Sequence, residues 1–590
     1  AKEEIYNNAT TRVLGDVYAE WEFLKDLKLK VSLGMDIMYL KQNKYTPSNI
    51  YQSLGIASAK VGVNRSINWL NENILTWNKT FKDIHSLNIL GGFTIQRNNV
   101  ESVTGASSNF VNDVMKYNNL GAGSIYDKPE SSATQWSLMS YLARINYSLY
   151  DRYLFSVNGR VDGSSRFGGN NKYGFFPSGS VAWRISEEGF MEPVKAVINN
   201  LKLRTSYGFT GNTEIGVYES LATLGSNSWT IGNQLVSGFY PNRIPNPDLK
   251  WEKTGQFDIG FDLGLFNNRL RLTADYYYKK TTDLLYNVAI PSASGYDSML
   301  KNIGSVQNKG YELSIESDNL SGAFSWTTAF NISFNRNKVL ELGGETYKDV
   351  GTYDDHLKTS DIRRLIVGQP IGVFYGYRFD GIFQNEAECA QQTSSPSPIG
   401  VGLRRYKDLN GDGKIDATND REILGDANPK FFGGMTNTFA YKGFELNVFL
   451  QYSYGNKIFN YNAMELESPT GGQNVYQDLV NRWTPTNPSN EYQKATTNRN
   501  NIVSDRFIED GSFLKLKTVS LSYSFPKLNW KHIGGLRLYV TGQNLLTWTK
   551  YRGYDPEVSY RGASTLEAGE DFGGYPQART FMFGIKLDIK

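Results

Sequence analysis

Residues 256–286 read QFDIGFDLGLFNNRLRLTADYYYKKTTDLLY, two runs in which apolar and polar side chains alternate at every second position. Along 256–266, Phe257, Ile259, Phe261, Leu263 and Leu265 fall on one face, and Gln256, Asp258 and Asp262 on the other. Along 269–286, Leu270, Leu272, Ala274, Tyr276 and Tyr278 oppose Arg271, Thr273, Asp275, Tyr277 and Lys279. A period of two is what a strand needs when its faces meet different surroundings. The joining FNNR is a short Asn-containing turn, so the pair reads as a hairpin of long strands.

The pattern recurs. In 324–337, Trp326, Thr328, Phe330, Ile332 and Phe334 share a face, as do Phe581, Phe583, Ile585, Leu587 and Ile589 in 580–590. Further candidate strands lie near 13–25, 27–45, 58–78, 86–100, 134–150, 152–166, 174–187, 200–212, 309–318, 370–380, 432–442, 444–460, 512–525 and 536–550. They make about eighteen, many of ten residues or more, where strands of soluble proteins have about five or six. Crossing a bilayer takes about nine to eleven tilted residues. Aromatics reach 14% and charged residues only 21%, a composition that suits sheet. No apolar run approaches the length of a membrane helix, which leaves a β-barrel as the spanning structure. The mean hydropathy of -0.45 agrees with that, because a barrel shows lipid only alternate side chains. The expected fold is all-β, a transmembrane antiparallel β-barrel; the competitor is a large soluble protein of packed sheets.

Connections alternate in length. Short turns at 23–30, 149–154, 266–270, 319–325 and 440–446 interleave with long polar stretches at about 101–131, 213–249, 340–369, 383–431, 461–510 and 551–578. Outer-membrane barrels have this asymmetry, with short periplasmic turns and long extracellular loops. A net charge of +3 gives no field to recruit nucleic acid. The single cysteine, Cys389, excludes an intrachain disulfide framework, and His85, His356 and His532 are scattered. No nucleophile elbow, zinc-protease helix, P-loop or dinucleotide fingerprint occurs, and carboxylate pairs such as Asp354 and Asp355 sit in polar loops, so no enzyme is expected. The opening AKEEIYNNAT has no leader pattern, which points to a leader already removed or to a piece of something longer.

Phrases in fixed order add a resemblance. The segments 143–191 (ARINYSLYDRYLFSVNGRVDGSSRFGGNNKYGFFPSGSVAWRISEEGFM), 201–216, 246–286, 302–317, 368–384 (GQPIGVFYGYRFDGIFQ), 428–460, 511–526, 536–558 (LRLYVTGQNLLTWTKYRGYDPEV) and 575–587 resemble the SusC/RagA group of TonB-dependent outer-membrane transporters of Bacteroidetes. The resemblance implies a barrel of about twenty-two strands around a plug. This sequence matches only the later strands, about sixteen to eighteen of them, across 1–590, with plug and TonB-pairing region absent. It departs at its end, where LDIK stands in place of the usual terminal aromatic.

The stretch RRYKDLNGDGKIDATND, 404–420, carries a D-x-N-x-D-G spacing without flanking helix patterns. Calcium takes six to eight oxygens, and such a spacing supplies them. Asp408, Asn410 and Asp412 would offer side chains, Lys414 its carbonyl and Asp416 a ninth-place ligand; Asn419 replaces the twelfth-place Glu, with Asp420 one further on. The alternative is a turn closed by Asx hydrogen bonds without metal. The resemblance places this loop outside the cell, where calcium would stiffen it.

Taken together, the resemblance implies energy-coupled import of oligosaccharides or peptides across the outer membrane. Its partners would be a SusD-like surface lipoprotein, the TonB–ExbB–ExbD system acting through a missing N-terminal region, and outer-membrane lipid, with a dimer of such transporter–lipoprotein pairs. Two other functions stay open: a surface glycan-binding or adhesion protein without transport, and a passive porin. Substrate-binding residues cannot be named from the sequence, since loops carry that choice.

Overall fold

The alternation folds as expected into long antiparallel strands. In this computed structural model the described residues are 3–296, 298–351, 362–467, 474–497, 501–525, 533–562 and 564–589. Asp354, Asp355, His356, His532 and Lys590 lie outside them. Among the described residues the main sheet has eighteen strands, and no helix is long and apolar enough to cross a membrane.

Two compact units divide the chain: Ala1–Trp183 with Thr205–Gln256 and Thr281–Ile303, and Arg184–Arg204 with Phe257–Lys280 and Gly304–Lys590. In the first, strands Ile5–Leu24, Leu27–Thr46, Ser58–Phe81, His85–Phe110, Glu130–Leu149, Tyr153–Ser164 and Tyr173–Arg184 pair each with the next. In the second, Ser305–Leu320, Phe324–Glu341, Phe431–Tyr441, Phe444–Tyr454, Phe513–Ser524, Ile533–Thr549 and Thr580–Ile589 do the same. Strands Ile198–Asn212, Glu252–Leu265, Leu270–Thr282 and the short Gly123–Tyr126 complete the sheet.

Turn chemistry sets the short connections. Between Tyr441 and Phe444, which pair directly, Lys442 and Gly443 both take positive φ, 44° and 89°. That two-residue reversal matches the twist of the strands it joins. Phe266, Asn267 and Asn268 likewise sit at φ of 54°, 59° and 59°, the FNNR turn read from the sequence.

Strand lengths vary. Ser58–Phe81 and His85–Phe110 have 24 and 26 residues, more than their alternation suggested. At about 3.3 Å per residue and a tilt near 45°, a strand of that length reaches about 55 Å along a membrane normal, well beyond a hydrocarbon core of about 30 Å. The stretch ESVTGASSNF, counted with the 101–131 loop in sequence, therefore continues a strand to Phe110.

Two expected sheet strands are corrected. The 370–380 segment contributes Val373–Tyr377 to a separate four-stranded sheet with Tyr347–Val350, Arg363–Ile366 and Arg421–Asp426. The 444–460 segment stops at Tyr454, and Lys457–Asn460 pairs with Ile508–Asp510. Both pieces are strand-like in composition because loop sheets use the same residue types. The long connections thus hold folded structure; the one at 213–249 carries the hairpin of Thr223–Ile231 and Gln234–Arg243.

Candidate transport wall and loop layer

Cross-strand partners show what each face is made for. In the second unit Leu320, Trp326, Phe439, Leu446, Leu521, Val540 and Phe583 are successive direct partners, one apolar row across seven strands. One residue along, Thr327, Thr438, Asn447, Ser520 and Thr541 form a polar row on the opposite face. The polar row bonds within itself, Asn447 donating to Thr438 at 2.9 Å and Ser520 meeting Thr541 at 2.8 Å. The first unit repeats this with Asn78, Asn88, Asn146 and Ser156, linked side chain to side chain at 2.6, 3.1 and 2.7 Å.

The apolar face is exposed to an extent that water does not tolerate in a monomer. Trp21 keeps 66% of its surface open and Phe583 82%, and Phe581, Ile585, Leu587 and Ile589 beside Phe583 are all exposed. Several polar side chains on that face find partners within the sheet, which suits hydrocarbon. Asn437 accepts from Thr328 at 2.7 Å and Trp326 at 3.0 Å, while Asn73 donates to Asn71 at 2.7 Å. Next to the short turns Phe324, Trp326, Phe439, Tyr441, Phe444 and Tyr523 gather, with Phe444 and Tyr523 4.5 Å apart at their ring centres. Such a girdle marks the level of lipid headgroups.

Several close ion pairs line the other face. Arg204 bridges Asp262 and Asp275, the latter at 2.7 Å; Arg160 holds Asp162 at 2.6 Å; Arg537 reaches Glu445 at 2.6 Å. Paired this way they line a hydrated surface without leaving isolated charge.

Beyond the strands of the second unit, three long connections pack into one layer. Phe374, Phe459, Tyr461, Met464 and Phe507 form its buried apolar centre. Buried ion pairs join the connections: Arg363 to Glu570 at 2.9 Å, and Glu467 to Arg506 at 2.7 Å, Arg552 at 3.4 Å and Arg404 at 3.9 Å. Lys515 anchors the layer to the wall, reaching Asp555 and Glu557 at 2.6 Å each. Burial pushes the Glu570 carboxyl above its usual range despite Arg363. None of these residues was singled out from the sequence. A charge buried inside a polar loop leaves no periodic signal; Phe374, Arg404, Phe459, Lys515, Asp555 and Glu557 fell inside phrases read for other reasons.

The 408–420 loop is closed by Asx hydrogen bonds. Asp408 accepts from Gly411 and Gly413 N–H at 2.6 and 2.7 Å; Asp412 from Lys414 N–H at 2.8 Å and from the Asn410 side chain at 3.0 Å. Asp416 accepts from Thr418 and Asn419 N–H, each at 2.8 Å. Asp420 is fully buried and pins Leu409 and Asp416 N–H at 2.8 Å each. Gly413 takes φ +77°, the sharp turn its place requires. These N–H donors hold the Asp408 and Asp416 carboxyls below their ordinary range. Among the described residues no three His, Cys, Asp or Glu side chains are gathered as a metal cluster. The donor set thus fits calcium only through lone pairs that the N–H groups leave over.

A sheet with one lipid-suited and one hydrated face, long strands, short turns at one set of ends and folded loops at the other define a class, the outer-membrane β-barrel. The family model described as "TonB dependent receptor-like, beta-barrel" matches residues 5–384, and the chain belongs to that family, which is one of transport proteins and not of enzymes. TonB-dependent receptor P3 of Formosa agariphila is 38% identical over 597 residues, covering 100% of this chain and 59% of the relative. TonB-dependent receptor SusC of Bacteroides thetaiotaomicron is 30% identical, covering 97% of this chain and 55% of the relative. A solved structure of the RagAB peptide transporter superposes with a TM-score of 0.85 at 26% identity, over 99% of this chain and 62% of that one. The chain thus spans less than two thirds of the length of these relatives.

Proposed function

We propose that this chain supplies barrel wall and loop layer to an outer-membrane importer of oligosaccharides or peptides, energised through TonB and served by a SusD-like surface lipoprotein. The observation that carries the reading is the two-faced sheet. A continuous apolar row suits hydrocarbon, a hydrogen-bonded polar row suits an aqueous conduit, and both occur in the same strands. The names of the relatives, TonB-dependent receptors and the RagAB peptide transporter, support energy coupling and a partner. Substrate chemistry within the oligosaccharide and peptide classes then depends on the loops.

Within this reading the 408–420 loop takes calcium as a structural ion. The test is limited proteolysis with and without chelator, and a cleavage pattern indifferent to calcium contradicts it. Function is tested by uptake of labelled oligomers in cells carrying the full-length gene, its deletion, and a TonB deletion. The importer account expects uptake lost in both deletions. A passive porin would keep uptake without TonB, and an adhesion protein would show surface binding but no uptake in any strain.

A further inference from the structure

In the first unit the lipid face is uncharged for most of its height and then carries cations. Trp21, Leu29, Leu75 and Gly91 are successive direct partners on that face, and positions two apart along each strand share it. From Leu29 to Tyr39, from Trp77 back to Ile67 and from Leu87 to Ile95, every side chain on this face is uncharged. The next positions on the same face are Lys41, Arg65 and Arg97, all exposed. The twelve positions from Trp77 to Arg65, like those from Leu29 to Lys41, rise about 28 Å at about 3.3 Å per residue and a tilt near 45°, close to a hydrocarbon core of about 30 Å. Trp21 and Trp77 lie next to the short turns after Leu24 and Phe81, which outer-membrane barrels keep on the periplasmic side. The cations therefore stand at the level of the outer headgroups. Tyr39 is the direct partner of Arg65, and Trp69 of Arg97, aromatic types that belong to the interface.

The protein does little to balance these charges. Among the described residues Lys41 has no ion-pair partner and Arg97 no acidic one. Arg97 donates instead to the neutral Gln135 at 2.6 Å, and Gln135 lies opposite Asn99, one step nearer the headgroups on the same face. The guanidinium thus reaches up out of the hydrocarbon, as long cationic side chains do. Arg65 has Glu101 at 4.0 Å, but 55% and 66% of these two side chains are open, so the pair is weak. Glu101 is the one acidic residue among the lipid-face positions of 35–45, 59–69, 97–107 and 131–137, against three cations. Phosphate is the anion that a membrane presents at this height, and guanidinium matches it with paired N–H donors.

We propose that Lys41, Arg65 and Arg97 form a seat for a phosphate-bearing lipid of the outer leaflet: its phosphate lies on the three cations, and its acyl chains run down the uncharged stripe below them, over the paired Ile37 and Ile67. The seat rests on the assignment of faces and is independent of what the barrel imports.

The test is native mass spectrometry of the full-length protein released from detergent micelles, offered dioleoyl phosphatidate, dioleoylglycerol or inorganic phosphate. Phosphatidate is retained as discrete adducts and dioleoylglycerol is not; an excess of inorganic phosphate leaves the adducts in place, because the acyl chains hold as well. The combined variant Lys41→Gln, Arg65→Gln, Arg97→Gln retains at least tenfold less phosphatidate. Lys60→Gln, which removes a cation from the opposite face of the same strand, retains as much as the unaltered protein. Glu101→Gln retains more, a gain that can be read whether or not the combined variant folds. Equal retention of phosphatidate and dioleoylglycerol, displacement by inorganic phosphate alone, undiminished retention in the combined variant, an equal loss in Lys60→Gln, or no gain in Glu101→Gln overturns the proposal. Each of these leaves the importer reading intact, since that fails only in the uptake assay.

Discussion

Glu570 and Arg363 are fully buried and 2.9 Å apart, the guanidinium stacked 4.2 Å from the Phe374 ring centre. Removing one partner of a buried pair leaves the other uncompensated, at a cost of about 3–5 kcal/mol. Glu570→Ala therefore loosens the loop layer, seen as faster proteolysis within 363–377 and 551–572, while strands such as Phe431–Tyr441 stay protected. Asp408 and Asp416 give a pH prediction. Their folded carboxyls are lowered by backbone N–H donors, so their contribution is present above the ordinary Asp range, near about 3.9, and is lost as pH falls through the lowered values. Hydrogen-exchange protection of 408–420, corrected for intrinsic rate, should be level from neutral pH down to about 4 and fall below it. Asp420, read from the sequence as a calcium ligand, accepts from Leu409 and Asp416 N–H within its own loop, one on each carboxylate oxygen. A ligand spacing and an Asx-closed turn look alike in sequence because both need short carboxylates next to glycine.

The strands were the legible part, for a physical reason. Where Leu446, Leu521 and Val540 face one way and Asn447, Ser520 and Thr541 the other, two solvents select residues at alternate positions, and a period of two survives in the text of the sequence. The pattern fades where strands leave hydrocarbon. Past Val100 the strand His85–Phe110 turns to Ser, Thr and Gly, and its last residues look like loop. The 370–380 segment misled in the opposite sense, since FYGY packs a loop sheet with the composition of a wall strand. A substitution at this scale separates the faces: Val540→Arg puts a charge against lipid at a cost of about 2–4 kcal/mol if near the midplane. Ser520→Arg, on the polar face, should cost far less. Denaturant unfolding of the reconstituted protein checks both, and equal losses would count against the assignment of faces.

At the scale of the molecule, the sequence alone conveyed the barrel class, the alternation of connections and the family phrases, because these repeat or stand in fixed order. The loop layer was not legible. Its buried pairs, Arg363 with Glu570 and Arg506 with Glu467, join residues more than two hundred and about forty positions apart, and no local pattern announces them. Everything functional above rests on which face meets lipid. The direct measurement replaces Cys389 with Ser, places single cysteines at Leu446, Leu521 and Val540 or at Asn447, Ser520 and Thr541, labels them with a fluorophore, and reconstitutes each protein into vesicles containing brominated lipid. Strong quenching at the first three positions and little at the second three is the predicted result; equal quenching of both sets, or the reverse order, would contradict the account.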